Sequence, residues 1–182
     1  LFHKWRILSY NLSINTLLKS QKKTIPIMQQ QHRLPKDAPL LAIDYGKKRI
    51  GLAYCDASQT FVFGLPTLEQ QTGSTKQAQL LTAFATIIAE KQIGGVVLGL
   101  PVNMDGTLGF MAETVEAFYT LLQTDHPNLP IYLLDERLTS KIAQQELRRQ
   151  GIVPSRNKGL IDQQAAKQLL EDYLRSCQLQ GI

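Results

Sequence analysis

A chain of 182 residues, 43% apolar and 19% charged, has the length and composition of one globular domain with or without a tail. It contains no run of about 18 apolar residues, which excludes a membrane-spanning helix. Its two cysteines, Cys55 and Cys177, are too few and too far apart for a disulfide framework or a thiolate zinc site. Both read as reduced core thiols, which favours a cytoplasmic setting. The net charge of +5 is unevenly spread: residues 1–35 hold six cations and no acid, while residues 36–182 hold 14 cations and all 15 acids. The basic character therefore belongs to the tail, and nucleic-acid contact by the folded part has to rest on local clusters.

Residues 1–39 read as a basic, disordered N-terminal extension, with a Gln tract (Gln29 to Gln31) and three prolines (Pro26, Pro35, Pro39). The apolar residues before Lys19 are interrupted by Ser and Asn, so no signal-peptide core is present. Met28 is expected to be the natural start, with residues 1–27 lying outside the native protein. A disordered basic arm and an organelle transit peptide are the alternatives.

From Leu40 to residue 182 the pattern is that of one α/β domain. Leu40–Asp44 and Ile50–Asp56 are expected strands joined by a short turn. Phe61–Leu68 is a third, weakened by Pro66. Ser74 or Thr75 can cap a helix reaching about Gln92, with Leu80, Leu81, Phe84, Ile87 and Ile88 as its apolar stripe. A strand at Gly95–Leu100, a helix near Gly109–Gln123 and a strand at Ile131–Leu134 follow. A helix from about Ser140 to Gly151 and another from about Leu160 to Cys177 close the chain. Three strands at hairpin distance followed by strands separated by helices predict a mixed five-stranded sheet, antiparallel early and parallel late, with helices on its faces.

Four acidic positions stand out. Asp44 ends the first strand, which should be central and buried on both faces, so its charge needs compensation. A divalent cation would supply it. Gly46 and Gly51 let the following turn bend, and Lys47, Lys48 and Arg49 add positive charge. A plain hairpin with a solvated turn is the simpler alternative. Asp162 lies within roughly 40° of Ala166, Leu169 and Tyr173 on the last helix, so it points at the sheet; an N-cap role is the alternative. Asp135 and Glu136 end the strand IYLL and point to opposite faces, so only one can share the sheet end with Asp44. In GLPVNMDG, Asn103 and Asp105 follow another strand, where a simple Asp-Gly turn is the bland reading. Asp44, Asp105 and Glu136 all fall beyond strand C-termini, where open sheets gather their sites. Carboxylates without His or Cys specify Mg²⁺ or Mn²⁺, and paired ions of that kind suit in-line phosphodiester hydrolysis.

The blocks AIDYGKKRIGLAYCD, VVLGLPVNMDG, LLDERLTS and KGLIDQQAA resemble the signature blocks of the YqgF/RuvX family, described as Holliday junction resolvases or pre-16S rRNA nucleases with an RNase H-like fold. The resemblance runs from about Leu40 to Leu174. It implies a divalent-metal-dependent nuclease with strand order 3-2-1-4-5, and Asp44, Glu136 and Asp162 as the catalytic, metal-holding set. It also implies supporting or substrate-side roles for Lys47 or Lys48, Arg49, Asn103, Asp105, Arg137, Thr139 and Lys158. In that order the strand of Glu136 lies two places from that of Asp44, roughly 10 Å away laterally, which keeps Asp105 in contention as a metal ligand. The segment RRQGIVPSRNKG, with Arg156 and Lys158, reads as a phosphate-contacting loop or a solvated connector.

The expected substrate is structured RNA, in 5′-end maturation of pre-16S rRNA, with 5′-phosphate and 3′-hydroxyl products. Branched DNA is second, and the protein is expected to be a monomer or homodimer, since junction resolution needs two symmetry-related sites. An actin-like phosphotransferase, which also opens on an Asp-x-Gly hairpin, needs a second lobe that this length does not hold. A non-catalytic RNA-binding assembly factor is the remaining alternative.

Overall fold

The computed structural model describes residues 34–70, 74–103, 108–136 and 158–179. Its elements are β1 (Leu40–Tyr45), β2 (Arg49–Cys55), β3 (Val62–Glu69), α1 (Ser74–Glu90), β4 (Gly95–Leu100), α2 (Phe110–Asp125), β5 (Ile131–Asp135) and α3 (Lys158–Leu179). The helix expected over Ser140 to Gly151 lies outside the described residues. Among those described, no helix is long and apolar enough to cross a membrane.

The sheet has the order β3-β2-β1-β4-β5. β1 pairs antiparallel with β2, and β2 with β3, while β1 pairs parallel with β4 and β4 with β5. The central position of β1 explains its unbroken apolar run: Leu40 to Ile43 are fully buried because both faces are covered. β4 is buried along its whole length for the same reason.

Side-chain alternation divides the core. Leu40, Ala42, Ala53, Cys55 and Val97 pack against Ala166, Leu169, Leu170 and Tyr173 of α3. On the other face Tyr45 stacks on Phe118 of α2, with ring centroids 4.3 Å apart, and Phe118 meets Phe84 of α1. The sheet is therefore sandwiched, with α3 alone on one side among the described helices.

The β2–β3 hairpin is closed by Asp56, whose Oδ1 accepts from the backbone N–H of Thr60 and Phe61 at 3.1 and 2.9 Å. Gln59, at φ 56°, takes the left-handed turn position. Pro66 is accommodated because β3 is an edge strand with a register shift: Ile50 pairs with Leu68, whereas Leu52 pairs with Leu65. Pro66 and Thr67 fill the bulge opposite Gly51, where no ladder donor is required.

The domain begins earlier than its sequence pattern suggests. Leu34 is buried in the α3-side core, and its N–H donates to the Tyr173 hydroxyl at 3.4 Å. Gln59 Nε2 donates to the carbonyls of Pro35 and Ala38 at 2.7 and 3.0 Å. Residues 34–39, which the prolines and polar composition assign to the extension, are thus part of the packed structure.

α3 approaches β2 closely because Gly51 lacks a side chain. A Cβ there would collide with the backbone carbonyl of Asp162. A backbone wall cannot swing aside as a side chain can, so Gly51→Ala is expected to lower unfolding free energy by about 1–3 kcal/mol. Urea denaturation reads the loss as a shifted midpoint.

Candidate metal centre

Strand parity decides which residues share the α3 face. Leu40 and Ala42 lie on it, so Asp44, two residues on, does too. On β2 the same parity carries Cys55 and Ala53 to Gly51 and Arg49; on β4 it carries Val97 to Gly99; on β5 it carries Tyr132 and Leu134 to Glu136. The Glu136 N–H donates to the Leu100 carbonyl at 3.1 Å and prolongs the β4–β5 ladder by one step. Of the pair Asp135 and Glu136, the second therefore faces the same side as Asp44.

The lateral gap between β1 and β5 is bridged by a side chain crossing a glycine. Glu136 lies over Gly99 of the intervening strand, where an added Cβ would collide with its carboxyl Oε1. Asp44 stands one step beyond the last β1–β4 pair, Ile43 with Leu98. Burial, then the Asp44 charge and that of Asp135, push the Glu136 carboxyl up to about 8. Asp44 is pushed up to about 6, by burial first and by the Asp162 charge second. Asp44 is thus electrostatically coupled to both other members of the acidic set.

Asp162 lies inside α3, four residues past its start at Lys158, so it does not cap the helix. Its Oδ2 accepts from Arg49 Nε at 2.5 Å. The helix is anchored at this point by Gln163, whose Nε2 donates to the Leu65 carbonyl at 2.9 Å beside the β3 bulge. Gln163 also covers Gly64, where a Cβ would meet its side chain.

Lys47 and Lys48 are exposed at the β1–β2 turn, and the Lys48 carbonyl accepts from the Gln70 N–H at 2.8 Å. Lys47 Nζ stands 6.0 Å from the centroid of the Phe110 ring, which is exposed at the start of α2. Asn103 is exposed, and its Oδ1 lies 3.4 Å from the Cβ position of Gly109, the residue preceding α2. Lys158 is exposed at the first turn of α3. Asp105, Arg137, Thr139 and Arg156 lie outside the described residues. Sequence reasoning missed Gly99, Gln163 and Phe110. The spacing of Gly99 from Val97 was a usable signal, since it puts a small residue on the acidic face.

A mixed sheet in this order, flanked by helices and carrying acids at the C-terminal ends of β1 and β5, defines the RNase H-like class of α/β proteins. The structure of Thermus thermophilus RuvC in complex with a Holliday junction substrate matches with a TM-score of 0.51 at 14% identity, over 76% of this chain and 96% of that one; at such identity the likeness is one of fold. The chain belongs to the RuvX family: the family model described as "RuvX: Holliday junction resolvase" matches residues 38–176. A protein of Trichormus variabilis named "Putative pre-16S rRNA nuclease" is 40% identical over 134 residues, 74% of this chain and 85% of that protein. One of the same name from Maridesulfovibrio salexigens is 38% identical over 135 residues, 74% of this chain and 96% of the relative.

The donor set fits a hard divalent cation in its chemistry: oxygen donors alone, with desolvation and then neighbouring carboxylate charge pushing Asp44 and Glu136 above the ordinary carboxyl range. The set is open as it stands. Among the described residues no three acidic, imidazole or thiol side chains are close enough to hold one ion between them. Asp162 is turned to Arg49.

The raised carboxyls give stability a definite pH dependence. Folded Glu136 keeps its proton to about pH 8 against an ordinary value of 4.5, and Asp44 to about 6 against 3.8. Within those windows the folded state binds more protons than the unfolded chain, so stability falls as pH rises. Melts in chelator are expected to show Tm declining from about pH 5 to about pH 8, and Glu136→Gln should flatten the upper part of that decline.

Proposed function

We propose that this chain is a divalent-metal-dependent nuclease that cleaves phosphodiester bonds at the end of β1, with structured precursor rRNA as its substrate. The observation that carries the reading is the placement of Asp44 and Glu136 on one face of the sheet, with Glu136 lying over Gly99 of the intervening strand, and both carboxyls pushed up by desolvation first, then Glu136 by the Asp44 charge and Asp44 by that of Asp162. Buried acids of that kind cost stability, and their retention makes sense as a cation site. Family membership supports the nuclease activity, and the names of the relatives support rRNA as the substrate.

Asp44, Glu136 and Asp162 would hold Mg²⁺ or Mn²⁺, which when bound supplies Lewis-acid polarisation of the phosphate and charge neutralisation at the reacting oxygens. The remaining tasks fall to the chain itself. β1 and β5 hold two carboxylates at the mouth of the parallel half of the sheet, and α3 brings the third. Partial burial of Asp44 and Glu136 weakens solvent screening there, which strengthens their grip on positive charge. Lys47 and Lys48 at the neighbouring turn supply exposed cations for backbone phosphates, a contact that orients a strand without reading its sequence. Asn103 and Lys158 are positioned at the ends of adjacent elements and serve the same purpose. Asp105, Arg137, Thr139 and Arg156 complete the substrate side in this reading.

Branched DNA is the second substrate, favoured by the description of the family model. The deciding assay offers a precursor 16S rRNA fragment and a four-way DNA junction to the wild type and to Asp44→Asn, with and without Mg²⁺. Cleavage of the RNA is expected to depend on Mg²⁺ and to fall by about a hundredfold or more in the variant. The same substitution should raise the Tm of the metal-free protein, because it removes a buried charge. Cleavage persisting in Asp44→Asn contradicts the assigned site.

A further inference from the structure

Among the described residues, Arg49 supplies the cation joined directly to the acidic set. Its Nε meets Asp162 Oδ2 at 2.5 Å, and the two side chains are 28% and 24% exposed, so solvent ions reach the pair. The Asp162 backbone is pinned. Its carbonyl lies against Gly51, and the next residue is tied to Leu65 at 2.9 Å. Side-chain rotation is the freedom left to this carboxylate. Arg49 holds it from β2, next to β1, where Asp44 is paired with Gly51. In this arrangement no three acidic, imidazole or thiol ligands among the described residues close on one ion.

We propose that Arg49 is a stand-in counterion: it occupies Asp162 in the metal-free protein, competes with the divalent cation for that carboxylate, and is released to nucleic-acid phosphate when the cation binds. This deepens the metal-dependent nuclease reading and rests on it. Two cations directed at one carboxylate oppose each other, and the opposition is reciprocal. Metal loading weakens the Arg49 pair by the same factor by which the pair weakens metal binding. A freed guanidinium keeps a planar fork of donors matched to phosphate, and it stands next to Lys47 and Lys48 in sequence at the start of β2. Cation and nucleic acid then reinforce each other's binding through Arg49. The arrangement also explains why an arginine, and not a further apolar residue, shares the α3 face with Gly51 and Ala53.

The test is manganese binding by the full chain, followed by electron paramagnetic resonance at constant ionic strength without nucleic acid. Arg49→Gln and Arg49→Met both remove the charge, and Met keeps most of the length, so failure of one to fold leaves the other. Either folded variant is expected to bind Mn²⁺ about fivefold more tightly than the wild type. Unchanged or weaker binding overturns the role of Arg49, because an arginine that merely braced Asp162 would give that result. In the wild type, Mn²⁺ should also raise affinity for a non-hydrolysable RNA analogue about fivefold, and the variants should lose that gain. An equal gain in the variants overturns the release step. Wild-type chain that takes up no manganese overturns the metal reading and this inference with it. Uptake by the wild type with no change in the variants overturns the inference alone.

Discussion

Repulsion among carboxylates at one end of the sheet is the constraint around which this domain is arranged. Asp44 sits at the end of a strand buried on both faces, and Glu136 and Asp162 act on it from β5 and α3. Water screens such charges poorly at this depth, so each acid raises the cost of ionising its neighbour. Desolvation and neighbouring charge push the Asp44 and Glu136 carboxyls up, and Asp162 accepts a hydrogen bond from the Arg49 guanidinium. Local instability of this kind is the expected mark of a functional site in an otherwise consistent fold.

The crowding is produced by small residues at chosen places. Gly99 lets the longer Glu side chain cross β4 from β5, and Gly51 lets the first turns of α3 settle onto β2. The β3 bulge at Pro66 serves the same end. It exposes the Leu65 carbonyl to Gln163, which fixes the rotation of α3 one residue from Asp162. Ala42, Ala53 and Ala166 continue the close approach along the α3-side core. Gly51 and Gly99 each weaken a strand in isolation, and together these small residues set the distances between the elements that carry the acids.

Much of this was visible in the sequence, and the exceptions have physical causes. β4 shows its limits directly, because Gly95 to Leu100 is apolar throughout and Pro101 ends it. Strand order followed from the switch between hairpin spacing and helical crossovers. Asp162 was legible as sheet-facing because its apolar neighbours recur at helical spacing. That Glu136 reaches over Gly99 was not legible, since a contact between strands is not encoded in one-dimensional spacing. Asp105 lies outside the described residues. Leu34 was misassigned because a single apolar residue among prolines carries no periodicity, although it reaches the core through contact with α3. Arg49 was read with its two lysine neighbours as one basic cluster. Strand parity with Gly51, Ala53 and Cys55 separates it from them, for it faces α3 while Lys47 and Lys48 sit exposed in the turn.

The most direct test of the account is a crystal structure of the full chain grown with manganese, with the ion placed by its anomalous scattering. The account predicts a peak enclosed by the side chains of Asp44, Glu136 and Asp162, with Asp162 turned away from Arg49. Manganese found only at surface carboxylates remote from Asp44 would contradict it.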